Sequence, residues 1–260
     1  MTKAAEDNFV TQSAISQGIH KLEIELGKPL LSSSKNRFEL TSEGELLLEK
    51  CENIFSEFSD IEDLFNERAD TYRGRLTFAT SHSFALSQLP SYYKKLLQQH
   101  PAVEPILRLG HSGIVREWVL KGEVEFGIVL AKEEDLPMFH TQPILQGQHR
   151  LYKAKKSTKA VLDRLIISED RREDNLLLNY LKKEGKKIPP LIEVLSWEVI
   201  ASMIEEGLGM GMLPDYVAQR YHLIPVSMPK LSITYSIIAI SSQKKKLSRN
   251  AKMFINLMLS

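Results

Sequence analysis

Five polar side chains, Gln12, Ser13, Ser16, Gln17 and His20, recur at spacings of one, three, one and three. On a helix that spacing gathers them along one face. Their amides, hydroxyls and imidazole both donate and accept hydrogen bonds, which is what a helix needs to read base edges and phosphates in a major groove. A solvated helix face has the same composition. A second set stands where strands are expected to give way to helices: Ser81-His82-Ser83, His111-Ser112-Gly113 and Ser196-Trp197. Ligands of open α/β sheets lie beyond the carboxyl ends of the strands. Free backbone N–H groups and the helix dipole there favour a carboxylate or phosphate. Ser81, Ser83, Ser112 and Ser196 are therefore candidate ligand contacts, with Trp197 as a packing wall; capping a helix is the competing role for each serine.

Other chemistries fail on spacing. Gly110-His111-Ser112-Gly113 resembles a nucleophile elbow, but the closing glycine of G-x-S-x-G would fall at Ile114. The seven histidines contain no H-E-x-x-H pair, and Gly207, Gly209 and Gly211 follow a helical stretch where a dinucleotide fingerprint needs a strand. An enzyme is not expected, nor a metal site or a cofactor. The single cysteine, Cys51, excludes an internal disulfide and suits a reducing compartment. No apolar run approaches the roughly 20 residues of a membrane span. Met1 to Asp7 is polar where an export signal carries an apolar core. A cytoplasmic protein is expected, which argues against an exported solute-binding protein.

Three textures position these residues. Residues 1–41 read as short helices and a hairpin. Thr11 can cap a helix from Gln12 to about Leu26 that ends at Gly27, with Ile15, Ile19, Leu22 and Leu26 on its packed face. Arg37-Phe38-Glu39-Leu40 alternates after a polar tip, as a hairpin strand does. Residues 42–73 read as one long helix, opened by a Ser42/Glu45 capping box. Leu47, Cys51, Ile54, Phe58, Ile61 and Phe65 form an a/d seam along it that suits helix-to-helix dimerisation or packing on its own domain. From Gly74 onwards strands and helices alternate: strands near 76–79, 103–109, 126–130, 165–167, 191–195 and 233–240, and helices over 84–99, 113–121, 175–184, 196–206 and from 248. That order argues for an α/β fold with a parallel sheet. With 34 Lys and Arg against 33 Asp and Glu, net charge does not announce a nucleic-acid partner.

The stretches Val10-Thr11-Gln12-Ser13-Ala14-Ile15-Ser16-Gln17, Ile19-His20-Lys21-Leu22-Glu23, Leu26-Gly27-Lys28-Pro29-Leu30-Leu31 and Leu40-Thr41-Ser42-Glu43-Gly44 closely resemble the winged helix-turn-helix of LysR-type transcriptional regulators. Gly74-Arg75-Leu76, Leu89-Pro90, His100-Pro101 and Glu205-Glu206-Gly207-Leu208-Gly209 through Leu213-Pro214 extend the resemblance over essentially the whole chain. It implies a winged helix-turn-helix head (1–41), a linker and dimerisation helix (42–73), and a two-lobed, periplasmic-binding-protein-like effector domain. That domain would comprise lobe I, about 74–145 and 222–260, and lobe II, about 146–221. It further implies a homodimer or homotetramer that binds operator DNA under control of a small, anionic effector between the lobes. The family's DNA contacts fall on Gln12, Ser13, Ser16 and Gln17. Lys35 and Arg37 would serve as wing residues on phosphate or minor groove, and the family's effector contacts fall on the three serine junctions. The family's first helix precedes Ala4-Ala5, so the head is expected to be short of one wall and to expose apolar surface. Gly18 inside the reading helix costs about 1 kcal/mol relative to alanine. Five Lys and Arg face five Asp and Glu between Met1 and Thr41. A ligand-sensing dimer with little DNA affinity is the alternative.

Overall fold

Thr11 and Gly27 set the ends of the first long helix. The structure is a computed structural model that describes residues 2–7, 9–34, 37–48, 50–51, 54, 72–156, 163–168, 171–186 and 188–259. The chain divides into two units, Met1–Arg68 and Ala69–Ser260. In the first unit a short helix, α1 (Thr2–Asp7), precedes α2 (Gln12–Leu26). Thr11 Oγ1 accepts the Ala14 N–H at 3.2 Å, and Gly27 closes the helix at φ 64°, a left-handed conformation that glycine adopts without a Cβ penalty. Strands β1 (Leu31–Ser34) and β2 (Arg37–Leu40) then pair as an antiparallel hairpin. The Glu23 carboxylate ties this hairpin to α2 by accepting the Leu30 and Leu31 N–H groups at 2.8 and 3.2 Å.

Two expectations for this unit need correction. The linker helix α3, helical at 42–48, 50–51 and 54, is capped by Thr41 and not by a Ser42/Glu45 box. Thr41 Oγ1 accepts the Gly44 N–H at 3.0 Å and donates to the Pro29 carbonyl at 2.7 Å, while Ser42 turns aside to Glu43. The cap moves because one hydroxyl here satisfies two backbone groups at once. On α2, Ile15 and Ile19 are half-buried as expected, but Leu22 and Leu26 are exposed at 38% and 48%. Ile24 is exposed as well, and so are Phe9, Phe38 and Leu40. Ala5, Leu30 and Gly44 are the buried residues described in this unit, too few to cover the carboxyl-terminal half of α2.

Among the described residues, the second unit is built on a mixed sheet of nine strands. Its path is β4 (Ala102–Leu109), β3 (Arg73–Thr80), β5 (Phe126–Leu130), β11 (Ile233–Ser242), β6 (Phe139–Ala154), β9 (Met210–Pro214), β7 (Leu165–Ile167) and β8 (Pro190–Glu193), with β10 (Leu223–Pro225) beside β6. Each end is parallel: β3 with β4 and β5, and β7 with β8 and β9. The parallel ends are the two lobes, joined by antiparallel β11 and by β6, whose 16 residues serve both. Phe139–His149 of β6 pairs with β11, and the rest pairs with β9 and β10. β10 therefore lies on the second lobe, past the division expected at 221/222.

Helices cover the sheet: α4 (His82–Ser87), α5 (Leu89–Gln99), α6 (Ser112–Leu120), α7 (Arg172–Lys183), α8 (Trp197–Glu205), α9 (Asp215–Ala218) and α10 (Arg249–Leu259). The single helix expected over 84–99 is two, because Pro90 in the first turn of α5 has no N–H to continue the preceding ladder. The core of the first lobe centres on Phe78, stacked on Phe126 at 5.1 Å between centroids and packed on Phe254 of α10 at 5.3 Å. All three are fully buried. Each contributes about 1.5–3 kcal/mol of apolar burial.

Candidate functional site

On α2 the side chains Gln12, Ser13, Ser16, Gln17 and His20 are all exposed, while Ile15 and Ile19 turn inwards. The helix thus presents one continuous polar stripe, available for hydrogen bonding along its first nine residues. Lys35 lies outside the described residues, and Arg37 opens β2. Of the linker seam, Leu47 and Cys51 are half-buried and Ile54 is exposed; Phe58, Ile61 and Phe65 lie outside the described residues.

In the second unit the five candidate ligand contacts converge. Ser81, Ser83, Ser112, Ser196 and Trp197 line one cleft of about 780 Å³, together with His82, His111, Arg171, Arg172, Glu173 and Glu198. The fold brings them there because β3, β4 and β8 each end at the amino terminus of a helix, the arrangement that opens parallel sheets at their carboxyl edge. Both roles weighed for the serines occur. Ser81 and Ser196 cap α4 and α8, accepting N–H groups of Phe84 and Val199 at 3.3 Å each. At α6 the cap is His111, whose Nδ1 accepts the Ile114 N–H at 3.4 Å; Ser112 instead points its hydroxyl at the Leu130 carbonyl, 3.5 Å away.

Several residues of the site escaped the sequence reading. Arg171 lies over the Trp197 ring at 4.1 Å and donates from Nη2 to the Leu195 carbonyl, which fixes the wall that Trp197 forms. Beneath it His149 is buried, with its ring 5.8 Å from Trp197 and 5.2 Å from Tyr235 and its Nε2 3.8 Å from Glu173. Burial holds this imidazole below its ordinary pKa, against the pull of Glu173. Tyr216, 2% exposed, donates to Ser83 at 3.1 Å, and Ser83 lies 3.1 Å from Ser81. Burial raises the Tyr216 hydroxyl well above its usual pKa, so it stays a proton donor.

Where the chain passes between the lobes, Asp215 accepts the Gln148 N–H at 3.1 Å and the Tyr235 hydroxyl. Gly147 faces Tyr235 across the β6–β11 pair, and a Cβ there would collide with the Tyr235 hydroxyl and lie 2.5 Å from Asp215 Oδ1. Hydroxyl–aromatic signals of this kind carry no local pattern.

The arrangement is a helix offering hydrogen bonds on one unit and a polar, helix-ended cleft on the other. Known proteins pair the same two parts. Residues 1–45 match the family described as bacterial regulatory helix-turn-helix protein, lysR family, and residues 69–260 match the LysR substrate binding domain. The uncharacterized HTH-type transcriptional regulator YvbU of Bacillus subtilis (strain 168) is 24% identical, over 98% of this chain and 91% of its own. Among solved structures, a full-length OxyR variant from Pseudomonas aeruginosa superposes with a TM-score of 0.70 at 19% identity, covering 98% of this chain and 88% of that one. The regulatory domain of Synechocystis PCC6803 CcmR in complex with 2-PG covers 72% of this chain and 96% of its own, with a TM-score of 0.57 at 19% identity. These relatives are regulators and not enzymes. Among the described residues, no helix is long and apolar enough to cross a membrane. The chain belongs to the LysR family of transcriptional regulators, with a helix-turn-helix head and an α/β effector domain of two lobes.

Proposed function

We propose that this protein is a cytoplasmic regulator whose operator binding is modulated by a small, anionic metabolite held between the lobes of its effector domain. The observation that carries the reading is the meeting of Ser81, Ser83, Ser112, Ser196 and Trp197, from elements far apart in the chain, around one cleft. Backbone N–H groups at the starts of α6 and α8, the Ser81 hydroxyl and Arg171 are donors suited to an acid group. CcmR, a protein of like fold, is known in complex with 2-PG. That makes a small-molecule occupant the natural reading.

On the head, Gln12, Ser13, Ser16, Gln17 and His20 contact base edges and phosphates, and Lys35 and Arg37 grip the backbone beside them. The seam of α3 joins two copies into a homodimer, or two such dimers into a homotetramer. The linker runs from 42 to 73, lobe I holds the strands before 145 and β11 onward, and lobe II holds what lies between.

The test is thermal unfolding of the full chain with a panel of small carboxylates and phosphate esters. A ligand at a hundredfold its Kd stabilises by about 2.7 kcal/mol. That gain is expected to fall sharply in Ser81→Ala and Ser112→Ala, and the same ligand should shift retention of the neighbouring promoter DNA. Stabilisation that survives both substitutions would overturn the cleft assignment. A second reading, a ligand-sensing dimer with little DNA affinity, is favoured by exposed Leu22, Ile24 and Leu26 on α2. It predicts ligand stabilisation without promoter-specific retention.

A further inference from the structure

Resting on that reading of the cleft, we infer that its ligand is an amino acid, whose carboxylate is the anionic group of that reading and whose protonated amine is held beside it. One side of the cleft is built to give a proton in a hydrogen bond. Tyr216 is buried, and Ser83 Oγ accepts its hydroxyl proton at 3.1 Å. A serine has one proton to donate and two lone pairs to accept with. The arrangement that strands no donor passes the Ser83 proton to Ser81, 3.1 Å away, while Ser81 also accepts the Phe84 N–H at 3.3 Å. Both lone pairs of Ser81 are then taken, and its own proton is left for the cleft. Such a hydroxyl selects an acceptor, as a carboxylate is.

The other side is lined by charges of both signs: Glu173, Asp174 and Glu198 favour the charge on Arg171 from a distance, without a close ion pair. Glu173 and Glu198 line the cleft beside Arg171. The basic group nearest Glu173 is His149 at 3.8 Å, whose positive form burial disfavours. Glu198 accepts the Ser196 hydroxyl on Oε2 at 2.6 Å, and its Oε1 is buried without a hydrogen-bond partner. Arg171 Nη1 is likewise buried and unpartnered. No ion pair among the described residues joins Arg171 to either glutamate. Polar atoms buried without a hydrogen bond are destabilising.

A ligand carrying one charge of each sign answers both: its carboxylate to Ser81 and Arg171, its ammonium to Glu198 and Glu173. A plain dicarboxylate would bring a like charge to two glutamates. A plain amine would leave Ser81 and Arg171 unmatched.

Isothermal calorimetry on the full chain tests this with the twenty L-amino acids, each binder paired with its deaminated counterpart: glutamate with glutarate, aspartate with succinate, alanine with propionate. At least one amino acid is expected to bind, with its counterpart roughly tenfold weaker or more. In Glu198→Gln and Glu173→Gln that advantage should shrink to within about threefold, while the unfolding transition of each variant stays cooperative. A counterpart that binds as tightly, an advantage that survives both substitutions, or twenty amino acids without a binder would each overturn the inference. Tight binding of a deaminated acid that depends on Ser81 would sink the amine claim and leave the effector cleft standing. Binding indifferent to Ser81 and Ser112 would sink both.

Discussion

Gly147→Ala is expected to destabilise the effector unit out of proportion to the single methyl it adds. Gly147 stands opposite Tyr235 in the β6–β11 pair, and the new Cβ would overlap the Tyr235 hydroxyl and lie 2.5 Å from Asp215 Oδ1. The hydroxyl must move, which breaks its hydrogen bond to Asp215, the carboxylate that also holds the Gln148 N–H. A hydrogen bond to a charged acceptor is worth about 1.5–3 kcal/mol, and the overpacked strand pair adds about 1–3 kcal/mol. The sum, about 2.5–6 kcal/mol, corresponds to a fall in Tm of about 5–24 °C for a unit of this size. Differential scanning calorimetry of the full chain, following the transition of the unit Ala69–Ser260, measures it. Tyr235→Phe completes a double-mutant cycle. With the hydroxyl gone, Gly147→Ala should cost about 1–2 kcal/mol less than in the parent. A Tm within about 2 °C of the parent, or strict additivity in the cycle, would refute the account of how β6 crosses between the lobes.

Three further outcomes follow from the same geometry. Burial raises the Asp174 carboxyl from 3.8 to about 6, so the folded chain favours its protonated form; that contribution is full below about pH 4 and is lost as pH rises through about 6, by about 3 kcal/mol. Asp174→Asn, which keeps an acceptor for the Ser168 N–H, should flatten this part of the stability profile measured by urea unfolding from pH 4 to 7.5; an unchanged profile would contradict it. Thr41→Ala should destabilise the head by about 1–2 kcal/mol, whereas Ser42→Ala should cost little, as read by far-ultraviolet circular dichroism on heating; the reverse ranking would restore the Ser42 cap. Tyr216→Phe removes the proton that orders Ser83 and Ser81, and should weaken acid ligands several-fold while leaving the Tm within a few degrees.

What the sequence disclosed follows the range of the interactions. Thr11 and Gly27 act within one turn of the chain, and α2 ends where they imply. Strand Phe126–Leu130, apolar throughout because both its faces are covered, was legible for the same reason. The three serine junctions were legible because a parallel sheet puts strand ends and helix starts on one edge. β6 was not: Pro143 and Gly147 interrupt its alternation, and the register skips a residue where Leu145 and Pro143 oppose Ile237 and Ile238. Leu22 and Leu26 follow a correct helical period, yet period says which residues share a face and not what covers it. Tyr216 and Ser83 are 133 residues apart and Tyr235 and Asp215 are 20 apart; such pairs are set by the folded sheet and leave no mark in local spacing.

The most direct test of the whole account is a fluorescence-anisotropy titration of the full chain on duplex from its own promoter region and on random duplex, repeated with Gln12, Ser16 and Gln17 all changed to alanine. The parent should prefer the promoter by about 10³-fold or more. The variant should keep its salt-dependent binding to both duplexes and lose that preference. A preference retained without those three side chains would mean that the exposed face of α2 does not read DNA.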